Sequence, residues 1–359
     1  MIITTPRTQI WAGNPLVPVG AISRGDAPSN VGPSGIAPPT GDLPGWALIE
    51  SEGFDIPVAL GNWPTHPHYR PRWRTYSPGT HDTTPGKGLY DAARTTSVSN
   101  SCLTANLHYE AGTDDQVVSL QTYSTIADAT STVHAGQVYG RYSICMRATY
   151  TGSGVAGAHK VVPLLWPRVI PWPDGGEYDI PECAITPTAT GTAFLHYGDG
   201  TSNGGQDIWT TSALISDWHV WTTEWVPNRV RVFCDGVLFG ETITNVASNE
   251  MRWTLQFETQ ITGLRTATTA TDTLTSNAHG YTDGMAIKFE ALGAATGVTI
   301  GTYYYVVSST TNTFKVSATR GGSPITLGTA TGVTVRRWPA PDDSALVEVD
   351  WCAQWRYVP

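Results

Sequence analysis

Short runs of alternating apolar and polar residues recur from Trp46 to about residue 260, and each run ends at a turn signal. In Val138–Ala148, every second side chain, including Tyr142 and Ile144, would lie on one face of a strand. The Asp235-Gly236 pair is typical of a hairpin turn. Because no long segment has a helical period, the pattern predicts an all-β protein built as an antiparallel β-sandwich.

Two further segments flank or interrupt this pattern. Residues 1–45 are rich in proline and glycine, which predicts an extended arm or linker, with a disordered leader as the alternative reading. Residues 262–337 are rich in threonine, alanine and glycine, with short strand-like runs between turn clusters. We interpret them as a small β module inserted between the last two strands of a sandwich that comprises residues 46–261 and 338–359.

The stretch Trp172–Glu182 carries three carboxylates within six residues. Glu177 and Asp179 lie two residues apart, so they share one face of a strand. Pro181 takes the next position on that face, and a one-residue bulge would return Glu182 to it. Three acids on one face cost stability, which indicates a functional site.

The reach of these side chains suits one class of reaction. Leaning toward each other, the carboxyls of Glu177 and Glu182 can come to about 5 Å apart, the separation found in retaining glycosidases. From the residues alone, a solvated acidic edge strand or a calcium site remains an alternative reading.

Composition narrows the possible partners. A net charge of −9 argues against nucleic acid and anionic membrane surfaces. Fourteen tryptophans and 15 tyrosines suit sugar stacking or an aromatic core. The five widely spaced cysteines predict buried free thiols. No apolar segment reaches membrane-span length, and the first residues show no classical secretion signal.

Five motifs follow one another along the chain: Tyr139-Gly140-Arg141-Tyr142, Trp172–Glu182, Leu195-His196-Tyr197-Gly198, Asp217–Gly236 and Val347–Val358. In this order they resemble the catalytic domain of glycoside hydrolase family 16, the concanavalin-like jelly rolls that include laminarinases, lichenases and agarases. The resemblance covers roughly residues 46–260 and 338–359. Tyr178, Pro181 and Glu258 depart from the family pattern, which leaves the acids in place but the substrate open.

The resemblance implies roles for the three acids. Glu177 would be the nucleophile, Glu182 the acid/base, and Asp179 an assistant between them. Like-charge repulsion would separate the pKa values of these groups.

Further residues are expected to contact sugar. Trp172 and Trp166 are candidate stacking platforms, and His196 can hydrogen-bond sugar or acid. Arg141, Gln256 and Glu258 are weaker candidates, while His219 and Trp225 are expected to be structural. No cofactor is expected to be required; a structural calcium on the convex face occurs in relatives, although no ligands are specified here.

The inserted module resembles small β modules of bacteriophage tail proteins. Together with the arm and the absent secretion signal, it predicts a virion-associated or extracellular enzyme that cleaves a host surface polysaccharide, a β-1,3-glucan or a galactan. Other tail proteins are the expected partners, through the arm or the module. A non-catalytic carbohydrate-binding protein and a structural virion protein are the alternatives.

Overall fold

A computed structural model describes residues 31–70, 72–77, 80–81, 88–110, 116–118, 120–123, 136–259 and 264–359, with backbone only for 116–118 and 120–123. Within these ranges, helix is confined to a 3-10 turn at Trp63–Thr65 and a single α-helical turn, α1, at Ala92–Thr95. Among the described residues, no helix is long and apolar enough to cross a membrane.

Strands make up the rest of the regular structure. In chain order they are β1 (Trp46–Glu52), β2 (Trp73–Arg74), β3 (Thr80–His81), β4 (Leu89–Tyr90), β5 (Thr96–Val98), β6 (Leu103–Tyr109), β7 (Gln116–Val118), β8 (Leu120–Tyr123), β9 (Gly140–Tyr150), β10 (His159–Pro167), β11 (Glu177–Ala184), β12 (Thr190–Tyr197), β13 (Gly205–Leu214), β14 (His219–Val226), β15 (Arg229–Cys234), β16 (Val237–Thr242), β17 (Met251–Thr259), β18 (Arg265–Ala270), β19 (Thr273–Thr275), β20 (Ala286–Ala291), β21 (Tyr303–Val307), β22 (Thr313–Ser317), β23 (Ala330–Arg337) and β24 (Ser344–Tyr357).

Two large sheets form the sandwich. The eleven-stranded sheet has the order β16-β15-β14-β9-β24-β6-β7-β4-β3, with β1 paired to β24 and β5 to β6. The seven-stranded sheet has the order β13-β12-β11-β10-β17-β8-β2. Pairing is antiparallel in both sheets except between β4 and β7. The predicted all-β sandwich is therefore confirmed.

The core between the sheets is built from alternating apolar side chains. Tyr178 on β11 and Trp253 on β17 face inward from the seven-stranded sheet, and Tyr142 and Trp221 come from the other sheet. All four side chains are buried. Because successive strand residues point to opposite faces, the neighbours of Tyr178, which are Glu177 and Asp179, lie on the face turned away from the core. We name this surface the open face.

A second aromatic layer lies on the outside of the eleven-stranded sheet. Its members include Trp46, Trp351 and Trp355, which are buried although they do not face the main core. The indole N–H of Trp351 donates to the carbonyl of Ile36 at 2.9 Å, and that of Trp355 donates to the carbonyl of Gly41 at 3.1 Å. The described end of the predicted arm thus covers this layer, while residues 1–30 lie outside the described part.

Residues between β17 and β24 in the chain form a closed barrel of β18–β23 with its own core. Ile287, Phe289 and Phe314 are fully buried inside it. Arg337, at the end of the barrel, donates to the carbonyls of Val155 and Ala156 in the sandwich at 3.0 Å each. The predicted junction near residue 261 falls among residues that are not described.

The five cysteines are unpaired, and all but Cys183 are buried. Burial raises the pKa of Cys102, Cys145, Cys183 and Cys234 to about 12. These thiols therefore stay protonated and act in packing, as the sequence predicts.

Candidate active site

Strand β11 contains one extra residue relative to both of its neighbours. Asp179 pairs with Phe194 on β12, but Glu182, three residues later, pairs with Thr192, only two residues along. The register against β10 shifts over the same stretch. The predicted bulge is confirmed, and it returns Glu182 to the open face that Glu177 and Asp179 occupy. Pro181 lies within the bulge, and its peptide bond with Ile180 is cis.

Tyr178, between the first two acids, fixes the strand through contacts on its core side. Tyr178 is 1% exposed and packs edge-on against Trp225, with ring centroids 5.8 Å apart. Its hydroxyl accepts a hydrogen bond from the backbone N–H of Ala247 at 2.8 Å. A tyrosine at this position therefore fits the core and holds the strand that carries the acids.

Glu177, Asp179 and His196 form one compact group. His196 lies directly opposite Glu177 in the β11–β12 register. Its Nε2 is 3.4 Å from Oδ2 of Asp179, and one ligand atom from each of the three residues lies within 4.8 Å of the others. The group therefore joins two acids to one base.

Burial dominates the electrostatics of this group. It raises the pKa of Glu177 to about 9; the charge of Asp179 adds to this effect, and His196 opposes it. Burial and then the charge of Glu182 raise the pKa of Asp179, while Lys160 opposes the shift. The pair Glu177–Asp179 therefore retains a proton at neutral pH.

Glu182 has quite different surroundings. Oε1 of its carboxylate is 3.0 Å from Nζ of Lys160, which also lies 2.7 Å from Oε1 of Glu258. The second oxygen of Glu258 accepts from the Tyr90 hydroxyl at 2.9 Å and from Nε2 of Gln256 at 2.8 Å. An ammonium ion thus bridges Glu182 to a buried, fully hydrogen-bonded carboxylate.

Trp172 lies beside the acid group. Its ring centroid is 6.2 Å from that of His196. The indole N–H faces Glu177 and lowers its pKa, but makes no hydrogen bond of normal geometry to any described residue. A half-buried indole ring beside a carboxyl can stack on a sugar.

The sequence model of glycosyl hydrolases family 16 matches residues 97–282, just over half of the chain. The chain belongs to this family. It is accordingly a glycoside hydrolase, as predicted. No curated protein matches the chain in sequence.

Solved structures agree with this fold. The laminarinase from Rhodothermus marinus is 16% identical, with a TM-score of 0.50, over 88% of this chain and 98% of that one. A non-specific endo-β-1,3(4)-glucanase variant is 14% identical, with a TM-score of 0.52, over 89% and 97%. A structure from work on endo-acting O-glycanases of the human gut microbiota is 12% identical, with a TM-score of 0.51, over 89% and 94%. At these identities the likeness shows the fold.

Within this family 16 chain, the predicted site residues divide into three groups. Glu177, Asp179, Glu182, His196 and Trp172 come together at β11 and its surroundings. Trp166 is half-buried on β10, opposite Arg252 and two residues after Leu164, which pairs with Asp179. Its predicted stacking on sugar stays a prediction.

The remaining candidates have other partners. Arg141 lies on β9 of the eleven-stranded sheet, where it pairs with Glu224 and sits over the ring of Trp355 at 5.6 Å. Its side chain belongs to the sheet opposite the acids, a placement that does not favour sugar contact, and the predicted contact stays a prediction. Glu258 is 1% exposed. It contacts Lys160 and accepts a hydrogen bond from Gln256, so both Glu258 and Gln256 have internal partners. Their predicted contacts with sugar stay predictions.

The two residues expected to be structural have internal partners. Nδ1 of His219 is 2.6 Å from Oδ2 of Asp235, and the indole N–H of Trp225 donates to the carbonyl of Ala247 at 2.9 Å. His219, Cys234 and Asp235 also form one of two ligand-type clusters among the described residues. Neither cluster is the all-oxygen set that calcium prefers, so the calcium site stays a prediction.

The sequence interpretation missed Lys160, Tyr90 and Phe194. Lys160 meets Glu258 through the β10–β17 register, which no local pattern reveals. Phe194 stacks on His196, with ring centroids 6.2 Å apart and an interplanar angle of 9°. Alternation along β12, two residues from His196, is the signal that could have found Phe194.

Proposed function

We propose that this chain is a retaining endo-β-glycosidase in which Glu177 is the nucleophile and Glu182 the acid/base. One observation carries the proposal. The bulge at residues 180–182 puts three acids on the open face and gives the two glutamates different surroundings. Glu177 lies in a compact group with Asp179 and His196, whereas Glu182 faces an ammonium. Two carboxyls with unlike environments are what a double displacement requires.

The nucleophile has to be ionised when it attacks. Asp179 is 1% exposed, so ionising it costs more than ionising the half-buried Glu177. Attack therefore proceeds from the state in which the shared proton is on Asp179, where it can hydrogen-bond to the charged Glu177. Glu177 attacks the anomeric carbon and forms the glycosyl-enzyme.

Glu182 handles the proton in both steps. In the first step its carboxyl protonates the leaving oxygen, and in the second its carboxylate takes a proton from the attacking water. Each change of charge occurs beside the ammonium of Lys160 at 3.0 Å.

The proposed substrate is a β-1,3-linked or mixed-linked glucan. Its support is the fold shared with the Rhodothermus marinus laminarinase and the endo-β-1,3(4)-glucanase. Trp172 supplies the stacking surface for one glucosyl unit. A β-galactan is the second candidate, because galactanases share the family motifs.

A polysaccharide panel tests the activity. Laminarin, barley β-glucan, agarose and mucin are incubated with the full chain, and released reducing ends and product linkages are measured. We expect cleavage of laminarin or mixed-linked glucan, with the β-anomer appearing first in proton NMR. Glu177→Gln should abolish cleavage, while Glu241→Gln on the exposed edge strand β16 should not change it. Release by Glu177→Gln at the wild-type rate, or the α-anomer as first product, contradicts the mechanism.

We also propose that the enzyme acts as part of a virion, with tail proteins as partners. Support comes from the likeness of residues 262–337 to tail-protein modules. Antibodies against the chain should label purified phage particles, with glucan cleavage in the same fractions. Finding the chain only as a free secreted monomer contradicts this placement.

A further inference from the structure

We propose that Lys160 is a positioning residue that selects which oxygen of Glu182 carries the catalytic proton. The inference rests on the proposed function of Glu182 as acid/base. Its basis is the bridging contact of Nζ with Oε1 of Glu182 at 3.0 Å and Oε1 of Glu258 at 2.7 Å.

The ammonium is held firmly in place. Only 19% of the Lys160 side chain and 2% of the Glu258 side chain are exposed. Glu258 is itself fixed by hydrogen bonds from Tyr90 and Gln256. Burial disfavours the charged lysine, but Glu258 and then Glu182 outweigh burial and raise the pKa of Lys160. Lys160 therefore stays charged through the working range of a glycosidase.

A charged lysine has three donors and no acceptor. Oε1 of Glu182 must accept from it, so the transferable proton is left to Oε2. When that proton passes to the leaving oxygen, the new carboxylate is stabilised by the ammonium at Oε1. Lys160 thus fixes the direction of proton transfer and strengthens the acid.

Other charges also face Glu182. Glu177 and Asp179 lie on its own strand, and the charge of Glu182 raises the pKa of both. His196 on β12 contacts Asp179, and Glu258 on β17 lies behind Lys160. Among these described neighbours, Lys160 is the cation in direct contact with the Glu182 carboxylate.

Two substrates with different leaving groups distinguish a positioning role of Lys160 from a merely structural role. Two substrates are compared: the polysaccharide that the wild type cleaves, and the 2,4-dinitrophenyl glycoside of the disaccharide it releases. Dinitrophenolate leaves without protonation, so its kcat/KM does not depend on the acid. In Lys160→Met we expect kcat/KM for the polysaccharide to fall roughly tenfold to hundredfold, and that for the aryl glycoside less than about threefold.

Further variants distinguish the loss of the Lys160 contact from a folding defect. Lys160→Met/Glu258→Gln removes both buried charges and should show the same ratio of effects. Lys160→Arg should restore part of the polysaccharide activity. Lys315→Met, which breaks a comparable 2.8 Å pair with Asp272 in the barrel, is the matched control and should change neither rate.

The pH profile is the second readout. Removing a positive charge next to Glu182 keeps its carboxyl protonated to higher pH, so the alkaline limb of kcat/KM in Lys160→Met should move upward. Equal losses on both substrates with an unmoved limb overturn the role of Lys160. Absence of cleavage by the wild type of any polysaccharide overturns the proposed function itself, and the inference with it.

Discussion

His196 lies opposite Glu177 across the β11–β12 pair, and its Nε2 is 3.4 Å from Oδ2 of Asp179. The imidazole is therefore the basic neighbour of a pair of acids that are both pushed toward their neutral forms. Asp179 raises the pKa of Glu177 and His196 lowers it. Substitutions at these two positions should consequently shift the titration of the nucleophile in opposite directions.

The acid limb of kcat/KM reports ionisation of the nucleophile in the free enzyme. In Asp179→Asn the like charge is lost, so the pKa of Glu177 falls and the limb should move to lower pH. In His196→Asn the interaction by which His196 lowers the pKa of Glu177 is lost, so the limb should move to higher pH. Both variants should lose activity, roughly tenfold to hundredfold. Rate measurements from pH 4 to 10 check the signs, and shifts in the same direction contradict the proposed coupling.

The raised pKa of Glu177 also predicts a pH-dependent stability. Burial raises this pKa from 4.5 to about 9, so the folded state binds a proton that the unfolded state releases between these values. The stabilisation is complete below pH 4.5 and is lost as the pH rises through about 9. Glu177→Gln lacks this loss. Its unfolding free energy should exceed that of the wild type increasingly above pH 5, by at most about 1.4 kcal/mol per pH unit.

Urea unfolding at pH 5, 7 and 8.5 measures this difference. Glu241→Gln, on the exposed β16, is the matched control and should follow the wild type at each pH. A difference between Glu177→Gln and wild type that does not change with pH would show that Glu177 titrates as it does in the unfolded chain.

Side-chain alternation within one strand predicted the positions of the three acids. Most of the residues that were missed depend on contacts between strands that are distant in the chain. The positions of Glu177, Asp179 and Glu182 follow from period-two alternation and one extra residue, both readable within β11. Lys160 was missed because its contact with Glu258 depends on the register of two strands about 100 residues apart in the chain.

Arg141 shows the converse problem. Its motif correctly indicates a strand, but the motif does not say which sheet that strand joins. Tyr142 faces the core, so Arg141 points to the outside of the eleven-stranded sheet, toward Glu224 and Trp355. Similarly, the composition of residues 31–45 predicts an extended segment. No local sequence pattern indicates that Trp351 and Trp355 hydrogen-bond to it.

Trp172 and Arg141 make a matched pair for testing substrate contact. Trp172→Ala removes the indole beside Glu177 and His196, so KM should rise roughly tenfold, equivalent to about 1.4 kcal/mol of binding. Trp172→Phe keeps a flat ring and should retain most of the affinity. Arg141→Ala should leave KM unchanged and lower stability instead, because the buried Glu224 loses one of the two arginines that the described structure pairs with it and keeps Arg231, at 2.5 Å. Steady-state kinetics on oligosaccharides and thermal unfolding distinguish these outcomes; a KM increase in Arg141→Ala contradicts its placement.

The segment over the outer aromatic layer should contribute measurably to stability. Trp351→Phe preserves most of the ring but deletes the 2.9 Å hydrogen bond to the carbonyl of Ile36. We expect a loss of about 1 kcal/mol in unfolding free energy, since that carbonyl loses its indole donor. Trp355→Phe, which deletes the 3.1 Å bond to Gly41, should cost a similar amount. Because both bonds tie the same segment, the double variant should lose less than the sum if that segment detaches as a unit. Urea unfolding of the three variants measures this coupling, and strict additivity would show that the two contacts act independently.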